Sequence, residues 1–132
     1  MGLVNIFEVT SLYAGIFGVL FFIFTMRVGL YRAKNKINFG DGGDAELTKR
    51  MRAHGNFVES VPIALILLGL AEAGGASSTL LHVAGGMLLV GRLSHWLQLS
   101  GFIKPLLFRM GGMILSFASV LTTSVWLLQN SF

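Results

Sequence analysis

Apolar positions fall along the chain in four long blocks separated by short polar connections. Residues 3–26, 80–99 ("LLHVAGGMLLVGRLSHWLQL") and 106–129 ("LLFRMGGMILSFASVLTTSVWLLQ") each offer the run of about 20 largely apolar residues that a helix needs to cross a bilayer. The remaining block is different. Its purely apolar part, residues 61–71, is too short alone, but the helical pattern extends back to Ala45. A helix over 45–73 is roughly 43 Å long at ~1.5 Å per residue, so its first turns project beyond the hydrocarbon. Asp44 is placed to cap it and Glu46 suits its first turn. The preceding "NFGDGGD" fits neither a phosphate loop nor a calcium loop and reads as a connector. The pattern therefore predicts one all-α integral membrane domain over residues 1–132, a bundle of four transmembrane helices with spans at about 3–34, 45–73, 77–100 and 105–130.

Composition supports lipid as the solvent. Hydrophobic residues make up 54% of the chain and charged residues 12%, against about 25% charged in soluble domains. A short soluble chain buries only about two-thirds of its surface and could not hide this much apolar area. The first block lacks a basic leader and exceeds the apolar length of about 7–15 residues usual in a signal peptide, so it reads as a retained span. Cysteine is absent, which excludes disulfides, thiolate ligands and a protein thiol nucleophile. His54, His82 and His95 lack metal-ligand spacing, and no metal site is expected. No nucleic-acid partner is expected either.

The net charge of +4 matters less than its distribution. Arg27, Arg32, Lys34, Lys36, Lys49, Arg50 and Arg52 surround the first connection, and Arg92, Lys104 and Arg109 flank the third. By the positive-inside rule both basic connections are cytoplasmic and both termini lie outside, an assignment that uses all 10 Lys and Arg. Ala14/Gly18, Gly69/Ala73 and Gly112/Ser116 are small-residue pairs suited to close helix approach in lipid.

Within the second block, "RMRAHGNFVESVP" sets Arg52, Asn56 and Glu59 on one helical face, with Pro62 following. A charge at mid-membrane costs about 2.5–3.5 kcal/mol on insertion scales, so such groups face a bundle interior, a partner or a ligand. One reading is an Arg52–Glu59 ion pair that fixes packing. The other is a stripe complementary to a zwitterion: a guanidinium for a carboxylate, a carboxylate for an ammonium, an amide for an amide. His54 points away from this face. His82, Glu8, Trp96 and Trp126 read as interfacial or packing residues.

The same segment closely resembles the second-helix signature of the MAPEG family, membrane-associated proteins in eicosanoid and glutathione metabolism. Its R-A-x-x-N-x-x-E-x-x-P pattern falls on Arg52, Ala53, Asn56, Glu59 and Pro62. "GRLSHWL" in the third block is similar to the prostaglandin E synthase branch, and "INFGDGGDAEL" to short bacterial members. The resemblance implies a homotrimer of four-helix bundles in a bacterial inner membrane, with glutathione, as co-substrate, in clefts between subunits near the cytoplasmic face. It implies glutathione binding by Arg27, Arg52, Asn56, Glu59, Arg92 and His95, and thiolate stabilisation by Arg109, whose register against the family is loose by a residue or two. The expected activity is glutathione transfer to, or peroxide reduction of, a hydrophobic small-molecule electrophile. Ser60 and Leu99 stand where the leukotriene- and prostaglandin-forming members carry tyrosines. A non-catalytic lipid-binding or scaffolding protein is thus an alternative. A small multidrug transporter is a remote one, because such proteins place their glutamate in the first span and lack this charge bias.

Overall fold

The computed structural model describes residues 6–131, which form four helices: α1 (Glu8–Asn35), α2 (Ala45–Ala73), α3 (Ser78–Leu99) and α4 (Leu106–Asn130). No strand occurs among the described residues. Residues 3–5 of the expected first span lie outside the described residues. α2 packs against all three other helices, and α3 and α4 form the most extensive pair.

Local chemistry sets the helix ends. The Asp44 carboxylate accepts from the Leu47 amide at 2.9 Å and starts α2, and the Tyr31 hydroxyl donates to the same carboxylate at 2.9 Å, tying α1 to that start. Ser77 caps α3 through the Leu80 amide at 3.2 Å. The start of α1 is satisfied from a distance, because the Glu72 carboxylate at the end of α2 accepts from the Val9 and Thr10 amides, each at 2.8 Å. A carboxylate among the free amides of a helix N-terminus is favourable on both hydrogen-bond and dipole grounds. Pro62 lies inside α2 without ending it.

Phe17, Phe57, Leu68, Leu81 and Leu88 fill the core, and the rings of Phe24 and Trp96 stack 4.0 Å apart between α1 and α3. Outside, the apolar character continues. Met110, Ile114, Phe117, Leu121, Val125 and Leu128 form an exposed face along α4. Water could not solvate such a surface without severe cost. The chain is an integral membrane protein. By length and composition α1, α2 and α4 qualify as membrane spans. α3, with 22 residues, falls outside that group and turns Arg92 and His95 into the protein. Of the four expected spans, the third, at 77–100, is therefore not among those that length and composition support.

The tightest approach is between α3 and α4. A Cβ added at Gly91 would sit 2.7 Å from the Gly112 carbonyl oxygen and 2.8 Å from Ser116 Oγ. Only glycine allows the two backbones this close. Of the small-residue pairs, Gly112/Ser116 forms this helix crossing. A Cβ at Gly18 would meet nothing within 4 Å, and one at Gly69 only side chains of the α1 start, the nearest at 3.6 Å. Lys49, Lys104 and Arg109 line one groove, so the first and third connections lie at the same end of the bundle.

Candidate functional site

Four groupings hold the candidate residues. On α2, Arg52 and Glu59 are exposed and Asn56 is half-buried beside Gly55. Neither charge takes part in an ion pair; among the described residues the pairs are Arg27–Glu46 at 3.9 Å and Arg50–Glu46 at 2.9 Å. The Arg52–Glu59 pair considered above does not form. The Asn56 amide folds back to the Arg52 carbonyl at 2.9 Å. The stripe thus stands on the outer side of the single chain with its two charges uncompensated, which lipid does not tolerate cheaply.

Behind it lies a buried cation. Arg92 of α3 is 4% exposed, its Nε donating to Ser116 Oγ at 2.6 Å and its Nη1 to Ser60 Oγ at 3.0 Å. Ser60 itself donates to the Asn56 carbonyl, and Ser116 to the Gly112 carbonyl at 2.8 Å. The guanidinium is therefore held by hydroxyls from α2 and α4, both anchored to their own helices, with no carboxylate in ion-pair distance. Its fixed fork suits this bidentate role, and its charge survives burial. His95, one turn on, is equally buried and packs on Gly112. The Gly91–Gly112 approach is what brings Ser116 within reach of Arg92.

Arg27 is clamped by neighbours. Its guanidinium lies 4.5 Å from the Phe102 ring centre and 5.1 Å from that of Trp96, while Nη2 faces Glu46. Its Nε is buried without a hydrogen-bond partner. Arg109, at the start of α4, is exposed and borders a groove of about 320 Å³ with Lys49, Gln98, Leu99, Gly101, Ile103 and Lys104. Three cations and no carboxylate line it. Lys49 lies one turn before Arg52 on the same side of α2, so the cationic surface runs from the groove to the stripe.

Within the chain the structure joins Arg92 to the signature segment through Ser60. It does not connect Arg52 or Glu59 to Arg27, Arg92 or Arg109 by any hydrogen bond or ion pair. Sequence reasoning reads Ser60 only as a missing tyrosine and misses its bond to Arg92. It also misses Ser116 and Lys49 as site neighbours. A small hydroxyl one helical turn after a buried glycine, as in "GGMILS", is the available signal for Ser116. His54 does face away from the stripe, with Nε2 2.9 Å from Thr25 Oγ1 on α1. His82 meets the Tyr13 hydroxyl, and Trp96 is a core residue.

A family model described as "MAPEG family" matches residues 10–129. The chain belongs to the MAPEG family. This MAPEG chain is also 40% identical over 88 residues to "Inner membrane protein YecN" of Escherichia coli (strain K12), covering 67% of each chain. The protein of the same name from Escherichia coli O6:H1 (strain CFT073) matches to the same extent.

Proposed function

We propose that this MAPEG protein binds glutathione and uses it as a co-substrate against hydrophobic electrophiles, as a glutathione S-transferase or peroxidase. The observation that carries the reading is the uncompensated pair Arg52 and Glu59, exposed on one membrane helix together with Asn56. Their chemistry complements a tripeptide with two carboxylates, an ammonium and amides. In this reading three copies assemble, the stripe of each facing a neighbour, so that the exposed charges line a cleft between subunits. All four helices, in this reading, span the membrane with the basic end toward the cytoplasm, where glutathione is abundant, and the name of the Escherichia coli relative points to an inner membrane.

Arg92 and His95 then back the cleft. Arg92 is pre-positioned by Ser60 and Ser116, which lowers the ordering cost of binding an anion. Arg27 contributes its guanidinium, whose buried Nε has no hydrogen-bond partner within the chain. Arg109 stabilises the thiolate. A free thiol with pKa ~8.5 is mostly protonated at neutral pH, and a nearby guanidinium favours the anion without giving up its own proton. The thiolate sulfur then attacks the electrophile, which enters from the lipid side.

Calorimetric titration of the purified protein with glutathione tests this. Saturable binding is expected, weakened at least tenfold in Arg52→Ala and Glu59→Gln. Absence of binding at millimolar glutathione in the wild type refutes it. Leu99, where the eicosanoid-forming members carry a tyrosine hydroxyl, favours a second reading as a non-catalytic binding protein. Ultraviolet absorbance of the thiolate separates the two, because only the enzyme ionises bound glutathione.

A further inference from the structure

On the other side of the basic end, Leu30, Tyr31, Lys34 and Asn35 of α1 and Arg50 of α2 enclose a groove of about 460 Å³. Arg50 is fixed there. Its guanidinium carbon lies 4.4 Å from the Tyr31 ring centre, Nε donates to Glu46 at 2.9 Å and Nη1 to the Arg27 carbonyl at 3.4 Å. Lys34 forms no ion pair and is exposed. The cations lining the groove are Lys34 and Arg50, and Arg50 is paired with Glu46. The Lys34 charge is left over, matching the single negative charge of a phosphodiester.

Leu30 continues the groove into an apolar lane. Val19, Ile23, Met26 and Leu30 share one face of α1, and all are exposed. Val19 and Leu30 are about 16 Å apart along the helix, close to the roughly 15 Å thickness of one hydrocarbon leaflet. A cationic cradle at the interface, opening onto an apolar strip one leaflet deep, has the layout of a phospholipid standing beside the helix.

We propose that this groove is a specific site for one anionic phospholipid. The phosphodiester lies between Lys34 and Arg50 and an acyl chain lies along Val19, Ile23, Met26 and Leu30. Basic pockets between membrane helices bind anionic headgroups for the same electrostatic reason. The site is independent of the glutathione reading, because it uses the face where α1 meets the opposite side of α2.

Native mass spectrometry of the detergent-solubilised full chain tests the site, with dioleoyl phosphatidylglycerol as probe and dioleoyl phosphatidylcholine as the zwitterionic reference. One phosphatidylglycerol per chain is expected to be retained in preference to phosphatidylcholine. Lys34→Glu is expected to weaken it about thirtyfold, twice the contribution of one interfacial lysine on a logarithmic scale. Lys36→Glu, at an exposed residue outside the groove, is the control and should leave it unchanged. Melting curves of both variants matching the wild type exclude misfolding as the cause. Equal retention of the two lipids overturns the proposal, as does equal loss in both variants, which would mark a diffuse surface field. Displacement by millimolar inorganic phosphate overturns it in favour of a free-phosphate site. Crosslinks from Lys34 to a second copy of the chain overturn it in favour of a protein interface.

Discussion

Gly111 and Gly112 are neighbours in "RMGGMI" and indistinguishable by composition, yet alanine at the two positions should act in opposite directions. A Cβ at Gly112 would lie 2.8 Å from His95 N and would run into the Gly91 carbonyl oxygen, both backbone atoms of α3. Ordinary contact begins near 3.4 Å, so α3 and α4 must separate by at least about 0.6 Å. No side-chain rotation relieves a clash with backbone. The cost then falls at the upper end of the range for overpacking, about 3 kcal/mol, of which the better helix propensity of alanine offsets about 1 kcal/mol. A net loss of about 2 kcal/mol corresponds to a fall in Tm of roughly 6–10 °C for a chain of this size. At Gly111 an added Cβ meets nothing within 4 Å, so only the propensity term remains and Tm should rise by up to about 5 °C. Thermal unfolding in detergent, followed by tryptophan fluorescence and far-ultraviolet circular dichroism, measures both. The close crossing of α3 and α4 is refuted if Gly112→Ala melts at or above the wild type, or if the two variants fall together.

Two further outcomes follow from the site and the helix ends. Ser60→Ala removes a hydroxyl partner of the buried Arg92 guanidinium; hydrogen bonds to charged groups contribute about 1.5–3 kcal/mol, so Tm should drop by several degrees, with Ser60→Thr retaining most of the stability. An unchanged melting curve for Ser60→Ala would mean that Arg92 does not depend on Ser60. The Asp44 carboxyl is held below its ordinary value of 3.8, chiefly by the hydrogen bond from the Leu47 amide, with the Tyr31 hydroxyl adding to it against partial desolvation. A depressed folded pKa stabilises the fold above the unfolded value and loses that effect as pH falls through the folded one. The wild type should therefore lose stability below about pH 4. Asp44→Asn keeps a capping oxygen and should flatten that part of the profile; an identical acid limb in the two proteins excludes Asp44 as its source.

Much of the fold was legible because membrane helices are written in local signals. The start of α2 at Ala45 followed from Asp44 as a capping side chain, and its extent to Ala73 from the helical pattern. Family membership was legible in five fixed positions of one helix, since spacing on a helix fixes which side chains share a face. The apolar blocks themselves required lipid around the chain. What the sequence left open concerned contacts between helices, where spacing carries no information. Three small-residue pairs had equal standing, and only the geometry of the crossing selected Gly112/Ser116 and added Gly91. Arg27 and Arg92 had the same standing as candidate ligands. The fold buries one on two hydroxyls and clamps the other between Phe102, Trp96 and Glu46. Charge placement along a chain is read residue by residue, but whether a charge is compensated depends on which distant groups arrive beside it, and only tertiary packing decides that.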